Sequence, residues 1–470
     1  VRLDQLIDRL DVRSVVNGRD GVEVIDATHD SRAARAGSAF VCVPGARVDG
    51  HDHAASAVAA GATLLVCERA LALDVPQLLV TDARASMGPL ADAVHGEPTR
   101  ALHVVGITGT NGKTTTSYLV RAILEAAGIP CGLLGTVEQR VGGRIEAVER
   151  TTPEATDLHR TFRRMLAAGD RACAMEVSSH ALALHRVAGV RFAAAAFTNL
   201  TQDHLDFHPS LEDYFLAKAR LFDGRCPTAT NIDDAYGRRL TATVSYSTQG
   251  AATVAASEVE LRADGTRFRL DAPDGSARVA MPLRGAFNVS NALAAASAAH
   301  LLGIALEATV TGLESVTGVP GRMEPVDAGQ PFAVIVDYAH TPDALETVLR
   351  TCRGFCSGRL RVVFGCGGDR DASKRPIMGA VAARLADDVL VTSDNPRSEP
   401  PEAIIAAVLA GMPAGARAEP DRREAIRQVL GRARAGDVVV VAGKGHEQGQ
   451  ERDGRKAPFD DRAVVRELLA

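Results

Sequence analysis

The sequence predicts an α/β protein of three domains: a small N-terminal α/β domain, a central P-loop-type ATPase domain with a mostly parallel sheet, and a C-terminal Rossmann-like α/β domain. Three observations carry this. The chain has 470 residues, which at roughly 150 residues per domain suggests three. Residues 102–124 run from an apolar segment through a glycine-rich turn into helical periodicity, the pattern of a strand, a phosphate-binding turn and a helix. Short apolar strands that end in polar loops recur in two groups, one before residue 200 and one after 330, as in open sheets that bind ligands at strand C-terminal ends.

The N-terminal domain spans 1–98 and closes at the polar stretch His95-Gly96-Glu97-Pro98. Strands at 39–43 and 63–66 alternate there with an alanine-rich segment at 54–60. No catalytic cluster stands out, so this is read as a binding domain. The central domain, 99–322, opens on the strand before the glycine turn and continues through strands at 172–177 and 193–197. From 252 to 283 the period changes to alternation: Val259 and Leu261, then Phe268 and Leu270, then Val279 and Met281. Asp264-Gly265 and Asp274-Gly275 are tight-turn pairs, so the segment reads as an antiparallel flap. An alanine-rich helix follows at about 288–302, and Val319-Pro320-Gly321 marks the next break. The C-terminal domain, 323–470, has strands at 332–336, 360–364, 388–392 and 437–442 with helices between them.

Composition narrows the function class. Hydrophobic residues make up 46% and charged residues 24%, with a net charge of −5, so there is no basic footprint and nucleic acid is not an expected partner. No apolar run reaches membrane-spanning length, and residues 1–4 lack a signal-peptide core. Eight cysteines are too sparse for a disulfide scaffold, and Cys352 and Cys356 do not form a C-x-x-C pair. A cytoplasmic monomer in a reducing compartment, with small-molecule substrates and no membrane insertion, is expected.

The glycine turn comprises Gly109, Thr110, Asn111, Gly112, Lys113, Thr114 and Thr115. It departs from the strict Walker spacing, since Ile107 stands where that pattern has its first glycine. Backbone N–H groups at a helix N-terminus attract an anion, Lys113 adds a point charge for the outer phosphates, and Thr114 a hydroxyl for Mg2+. A nucleoside triphosphate is the expected ligand. Glu176 ends a strand beside this loop and is read as holding Mg2+ directly or through water, against the alternative of an exposed turn carboxylate. Asp203, His204 and Asp206 cluster after the next strand, where His204 could reach a second Mg2+ or be a loop residue. Lys218 shares a helix face with Tyr214, Leu221 and Phe222 and reads, from spacing alone, as a snorkelling side chain. Asn288 reads as a helix N-cap that could also meet an adenine edge. Strand-end loops at Asp337, Arg370, Asp394–Arg397 and Gly443–Glu447 offer both signs of charge, which suits a ligand with amino and carboxylate groups.

The combination resembles the Mur ligases of bacterial cell-wall synthesis across nearly the whole chain. The resemblance rests on Gly109–Thr115, Met175-Glu-Val-Ser-Ser-His180, Asn199-Leu-Thr-Gln-Asp-His204, Tyr214-Phe-Leu-Ala-Lys218, Gly285-Ala-Phe-Asn288, Gly321-Arg-Met-Glu324 and Asp337-Tyr-Ala-His-Thr-Pro342. The tetrad Asp394-Asn395-Pro396-Arg397 matches members that add diaminopimelate; members that add lysine lack that arginine. The resemblance implies that ATP is held by Gly109 to Thr115 with Asn288, Arg322 and Asp337, that Lys113, Lys218 and His204 are catalytic, and that two Mg2+ ions are bound near Thr114, Glu176, His204 and Lys218. It implies that Lys218 is carbamylated, against the snorkelling reading. Ser31, Ala46, Arg47 and Val48 would meet the uridine nucleotide, and Thr151, Thr152, Ser178 and Arg186 the muramoyl dipeptide, UDP-N-acetylmuramoyl-L-alanyl-D-glutamate. Arg370, Asp394, Asn395, Pro396, Arg397, Gly443 and Glu447 would bind meso-diaminopimelate. Two positions depart from the pattern of some members: Arg150 replaces an asparagine and Leu184 a glutamine, both beside the dipeptide residues. The implied activity is amide formation through an acyl phosphate. Rivals are folylpolyglutamate synthesis or lysine addition on the same fold, a non-catalytic nucleotide-dependent scaffold, and a motor-type NTPase.

Overall fold

The computed structural model describes residues 1–45, 48–262 and 264–470, which form two compact units. The first comprises Val1–Thr108, Leu124–Ala196 and Ala217–Thr228, and the second Gly109–Ile123, Phe197–Leu216 and Ala229–Ala470. Ala46 and Arg47, expected beside the uridine nucleotide, lie outside the described residues.

Two sheets build the first unit. One has five strands in the order Val12–Val16, Gln77–Val80, Ala62–Cys67, Ser38–Val41, Asp26–Thr28, antiparallel at the first pair and parallel elsewhere. Its core includes Leu6, Ala39, Val41, Leu64, Val66, Leu78 and Leu90. In the other, His103–Thr108 lies between Phe192–Phe197 and Ala172–Glu176, followed by Cys131–Leu134 and a short antiparallel pair, Gln139–Val141 and Arg144–Glu146. Ala172–Glu176 is buried at every residue, as expected of a parallel strand covered on both faces.

The second unit contains the predicted flap: Val254–Arg262, Gly265–Ala272 and Gly275–Met281 pair antiparallel. Phe268, Leu270, Val279 and Met281 face inward as the alternation predicted. Val259 and Leu261 do not; they are 39% and 57% exposed. A bulge between Ser257 and Glu260, with Glu258 at φ 52°, shifts the register, and the outer half of that strand is solvated on both faces.

The same unit holds a six-stranded sheet: Glu324–Pro325, Ala333–Asp337, Val438–Ala442, Leu360–Phe364, Asp388–Val391, Arg417–Ala418. All neighbours except the first pair are parallel. Successive residues of each central strand enter opposite cores. Ile335, Val362 and Val440 pack with Leu345, Met378 and Ile404 from one set of helices. Val336, Val363 and Val441 pack with Ile426, Val429 and Val464 from the other. The near-continuous Val/Ile/Leu strands follow from that two-sided burial, and the layout is the Rossmann-like one expected. Pro342 opens helix Pro342–Arg353 with Thr341 as N-cap, its side chain accepting the Ala344 N–H. Eight free cysteines are buried or half-buried. No helix among the described residues is long and apolar enough to cross a membrane.

Candidate active site

The glycine turn joins strand His103–Thr108 to helix Lys113–Ala126, and its shape depends on two glycines. Gly109 has φ +146°, and a Cβ there would lie 1.9 Å from Thr198 Oγ1; Gly112 has φ +88°, and its Cβ would lie 2.2 Å from Asn291 Oδ1. The segment after strand Phe192–Phe197 straps the turn. Asn199 Oδ1 accepts the Asn111 N–H at 2.9 Å, Asn199 O accepts the Thr110 N–H at 2.8 Å, and the Thr198 hydroxyl donates to Asn111 O at 2.6 Å. The Lys113 ammonium lies over the turn and donates to Gly109 O and Thr110 O at 3.0 and 2.7 Å. Backbone donors, a helix N-terminus and an ammonium gathered in this way make an anion cradle.

Arg322 reaches the cradle, donating from Nη2 to Thr114 Oγ1 at 3.1 Å, while its guanidinium lies 4.5 Å from the Tyr338 ring centroid. Arg322 Nε is buried without a hydrogen-bond partner. Asp337 is buried, which raises its pKa; Arg322 and the Met323 and Ala339 N–H groups oppose that rise. Asn288 corrects the sequence reading. Helix Ala286–Leu301 has Gly285 as N-cap, and Asn288 lies inside the first turn, donating to Arg284 O at 2.8 Å and accepting from Asn291 Nδ2 at 3.0 Å. It orients Asn291, one helical turn on, which packs against Gly112, so Asn288 supports the cradle through that neighbour.

The loops of the six-stranded sheet gather at the C-terminal ends of its strands. Asn111 Nδ2 donates to Asp343 Oδ2 at 2.9 Å, Gln202 Nε2 lies 3.2 Å from Asp371 Oδ2, and Arg370 lies 3.8 Å from Asp206. These contacts bring the predicted phosphate and amino-acid loops together within this unit. Asp203 lies 3.8 Å from His340 Nε2 and 3.4 Å from His204 Nε2. Burial pushes the Asp203 pKa up, but His204, His340 and Lys374 outweigh it and hold the group below its ordinary value.

Arg397 adopts φ 52°, a left-handed backbone unusual for a residue other than glycine. Hydrogen bonds on both sides hold it there, Arg397 N–H to Glu451 O at 3.1 Å and Asp453 N–H to Arg397 O at 2.7 Å. One guanidinium arm donates to Gly368 O at 2.6 Å. Gly367 leaves room for this arm: a Cβ there would lie 2.9 Å from Arg397 Nη1 and would push the guanidinium aside. Asn395, two residues before this arginine, meets a lysine that the sequence reading took only as part of a charged loop. Lys444 is fully buried, and its ammonium donates to Asn395 Oδ1 and Glu447 Oε2, both at 2.9 Å; Asn395 Nδ2 also donates to Glu447 at 2.7 Å. A buried cation survives only when paired in this way. Gly443 (φ +113°) brings the chain within 2.5 Å, at its virtual Cβ, of Asp394 Oδ2. Fully buried Arg422 pairs with Asp461 and donates to Ser393 O and Ala442 O, fixing the ends of two strands that carry these loops.

In the first unit the predicted dipeptide residues also converge. Glu176 is buried, and its two oxygens accept the Thr136 N–H at 2.7 Å and hydroxyl at 3.0 Å. Thr136 Oγ1 meets Thr151 Oγ1 at 3.1 Å, Thr152 Oγ1 donates to Glu176 O at 2.9 Å, and Ser178 N–H donates to Thr152 Oγ1 at 3.2 Å. Arg186 donates to Thr152 O at 3.4 Å and pairs with Glu154. The exposed-turn alternative for Glu176 is therefore excluded. Ser31 stands in the short helix Ser31–Ala33 with Asp30 as cap, and Val48 is exposed. Lys218, in helix Leu211–Ala219, is 1% exposed. That rejects the snorkelling reading: no part of this side chain reaches water, so its amine must be partnered or chemically changed. Among the described residues no group of three or more His, Cys, Asp or Glu forms a metal cage.

Comparison with known proteins adds to this geometry. Residues 27–97 match the Mur ligase family catalytic domain, 107–299 the Mur ligase middle domain, and 321–445 the Mur ligase glutamate ligase domain. The chain is 48% identical over 465 residues to a UDP-N-acetylmuramoyl-L-alanyl-D-glutamate–2,6-diaminopimelate ligase of Geobacillus kaustophilus, covering 94% of each. It is 48% identical over 490 residues to the ligase of the same name from Streptomyces coelicolor, covering 99% of this chain and 96% of that one. A solved structure of a ligase of that name superposes with a TM-score of 0.70 at 33% identity, covering 100% of this chain and 98% of the other.

Proposed function

Because the chain belongs to the Mur ligase family, we propose that it is the ATP-dependent ligase that adds meso-2,6-diaminopimelate to UDP-N-acetylmuramoyl-L-alanyl-D-glutamate in cytoplasmic synthesis of peptidoglycan precursor. We assign 1–98 to uridine-nucleotide binding, 99–322 to ATP and 323–470 to the amino acid. The observation that carries the reading is the constellation around Arg397: a guanidinium on a left-handed backbone, in the same loop as Asn395 of the buried Lys444–Asn395–Glu447 network. It offers a cationic fork for a carboxylate and an anion for an ammonium, the two heads of an amino acid.

The reaction follows from charge. A carboxylate resists attack by an amine, so one oxygen of the substrate's γ-carboxylate first attacks the γ-phosphorus of ATP, releasing ADP and leaving an acyl phosphate. The diaminopimelate amine then attacks the acyl carbon, a tetrahedral centre collapses, and phosphate leaves with that carboxylate oxygen. Lys113 and the backbone donors of the turn counter charge on the transferred group. Arg322 is assigned to the nucleotide with Asn288 and Asp337. Arg397, Arg370, Asp394, Asn395, Pro396, Gly443 and Glu447 are assigned to diaminopimelate, whose distal carboxylate would be gripped by Arg397, orienting the amine. Ser31 and the 46–48 loop are assigned to the uridine nucleotide, and Thr151, Thr152, Ser178 and Arg186 to the dipeptide.

The oxygen donors fit magnesium. Mg2+ takes one or two carboxylates plus substrate phosphates rather than an all-protein cage, which agrees with a lone buried Glu176 carboxylate and the Thr114 hydroxyl. When bound, the ion neutralises phosphate charge. Thr114, Glu176, His204 and carbamylated Lys218 are assigned as its ligands. The carbamate would form by addition of carbon dioxide to the neutral amine of Lys218, with loss of a proton, and would turn a buried cation site into an anionic one.

The test is phosphate release by the purified chain with ATP, magnesium and the nucleotide-linked dipeptide, given diaminopimelate, lysine or no amino acid in turn. Release confined to diaminopimelate is expected. Equal release with lysine points to the lysine-adding activity, and release without any amino acid overturns the ligase reading.

A further inference from the structure

Three arginines in the first unit converge on one carboxylate. Arg150 Nη1 and Arg186 Nη2 each lie 2.9 Å from Glu154 Oε1, and Arg84 Nη1 lies 3.5 Å from Oε2. The Glu154 side chain is 8% exposed and that of Arg186 15%. Among the described residues no other carboxylate lies in ion-pair range of any of the three arginines. Three guanidiniums against one carboxylate leave two positive charges without a counterion. Nearby arginines are matched differently: Arg160 binds both Asp26 and Asp157.

Burial depresses the Arg186 pKa below its ordinary value, Glu154 opposes that, and Arg186 Nε is buried without a hydrogen-bond partner. The Arg84 and Arg150 side chains are 28% and 52% exposed, so their unmatched charge lies at an accessible rim beside the buried Arg186–Glu154 pair, where an incoming anion can complete it. The cluster is also joined to the proposed dipeptide residues. Arg150 and Glu154 flank Thr151 and Thr152, Arg186 donates to Thr152 O, and Thr152 bonds the Glu176 carbonyl. Arg84 stands in the first turn of helix Ala83–Val94, so its side chain brings a cation from outside the central segment.

We propose that Arg84 and Arg150, held by Glu154 beside Arg186, recognise the non-reacting α-carboxylate of the substrate's D-glutamyl residue. This rests on the function proposed above. The substrate carries two carboxylates on that residue, and only the γ-carboxylate is to be phosphorylated. A fixed cationic fork on the other carboxylate selects the acid and leaves the reacting group free. Arg150 then acts as a specificity-determining cation, with Glu154 as the positioning residue.

The experiment compares kcat/KM for the normal substrate and its α-carboxamide analogue, in the wild type, Arg84→Gln, Arg150→Gln, and the charge-retaining Arg84→Lys and Arg150→Lys. The wild type is expected to prefer the acid by about 100-fold or more, since a site built for a charged group rejects the analogue lacking it. Each glutamine variant is expected to cut that preference about tenfold through the KM of the acid, and each lysine variant by less. Equal losses for acid and amide would mean that the arginines serve the fold or the diphosphate, and overturn the proposal. Should a glutamine variant fail to fold, an unchanged preference in its lysine counterpart, whose fork is lost, overturns it equally. A wild type without amino-acid-dependent phosphate release removes the functional reading as well; an active wild type with unchanged preference in all variants removes this proposal alone.

Discussion

Replacing Arg397 separates amino-acid recognition from both folding and nucleotide use. The backbone bonds that hold residue 397, from its N–H to Glu451 O and from the Asp453 N–H to its own carbonyl, do not involve the side chain and persist in Arg397→Ala. The side chain loses its bond to Gly368 O and its pairing with Glu451 at 3.6 Å, a net ~1 kcal/mol at a half-buried position. Arg397→Gly also relieves the φ of 52°, worth roughly 1–2 kcal/mol, so the glycine variant should be at least as stable as the alanine one. For the ligand, a charge-assisted contact to carboxylate is worth about 1.5–3 kcal/mol, or roughly 10–150-fold in affinity. Steady-state kinetics should therefore show the diaminopimelate KM rising more than about tenfold in both variants, with the ATP KM changed little. Arg397→Lys should recover only part of the loss, because an ammonium cannot reproduce the fork. Discrimination against lysine should collapse in parallel. Equal rises in both KM values, or a normal diaminopimelate KM in Arg397→Ala, would refute the reasoning.

Other residues give further tests. Lys218→Ala should lower turnover by about 100-fold or more, the scale of losing one preorganised electrostatic group, with partial rescue by a small carboxylic acid; an active, unrescued variant argues against the carbamate. Gly112→Ala puts a Cβ on Asn291 at a φ of +88° and should weaken ADP and ATP binding about tenfold or more by calorimetry; unchanged affinity counts against the cradle. The stability–pH profile should register a buried cluster in the first unit. Burial pushes Asp92 up to about 6 and pushes His95 and His159 down to about 4, with His159 Nδ1 3.4 Å from Asp92 and His95 Nε2 3.6 Å from Asp26. Each histidine contributes stability above pH 6.5 that is lost as pH falls towards 4, while Asp92 regains stability over pH 6 to 3.8. The net is one proton, about 1.4 kcal/mol per pH unit at most, and thermal melts of His95→Gln should be flatter by that amount between pH 6 and 4; an identical slope rejects the assignment.

The legible parts of the fold were those set by periodicity and turn chemistry. The glycine turn, the flap hairpins with their Asp-Gly turns, and the Val/Ile strands of the C-terminal sheet each carry their own signal. Val259 and Leu261 were misread because a bulge at Glu258 cancels an alternation that only a regular ladder would honour. Asn288 was misplaced because Gly285 at φ +96° starts the helix three residues earlier, and a glycine cap has no side-chain signature. Lys218 defeated spacing altogether. Burial of an amine is a tertiary fact, and only the resemblance pointed past the snorkelling reading. The burial of Lys444, read only as part of a charged loop, and the role of Glu154 were not legible because each depends on a distant partner: Asn395 is 49 residues from Lys444, and Arg84 is 70 residues from Glu154 in the chain.

The account is tested most directly by labelling both γ-carboxylate oxygens of the nucleotide-linked dipeptide with oxygen-18 and analysing the phosphate released with ATP and diaminopimelate. An acyl phosphate that is broken by the incoming amine hands one labelled oxygen to each phosphate. Phosphate free of label, or formed equally well when diaminopimelate is withheld, would contradict it.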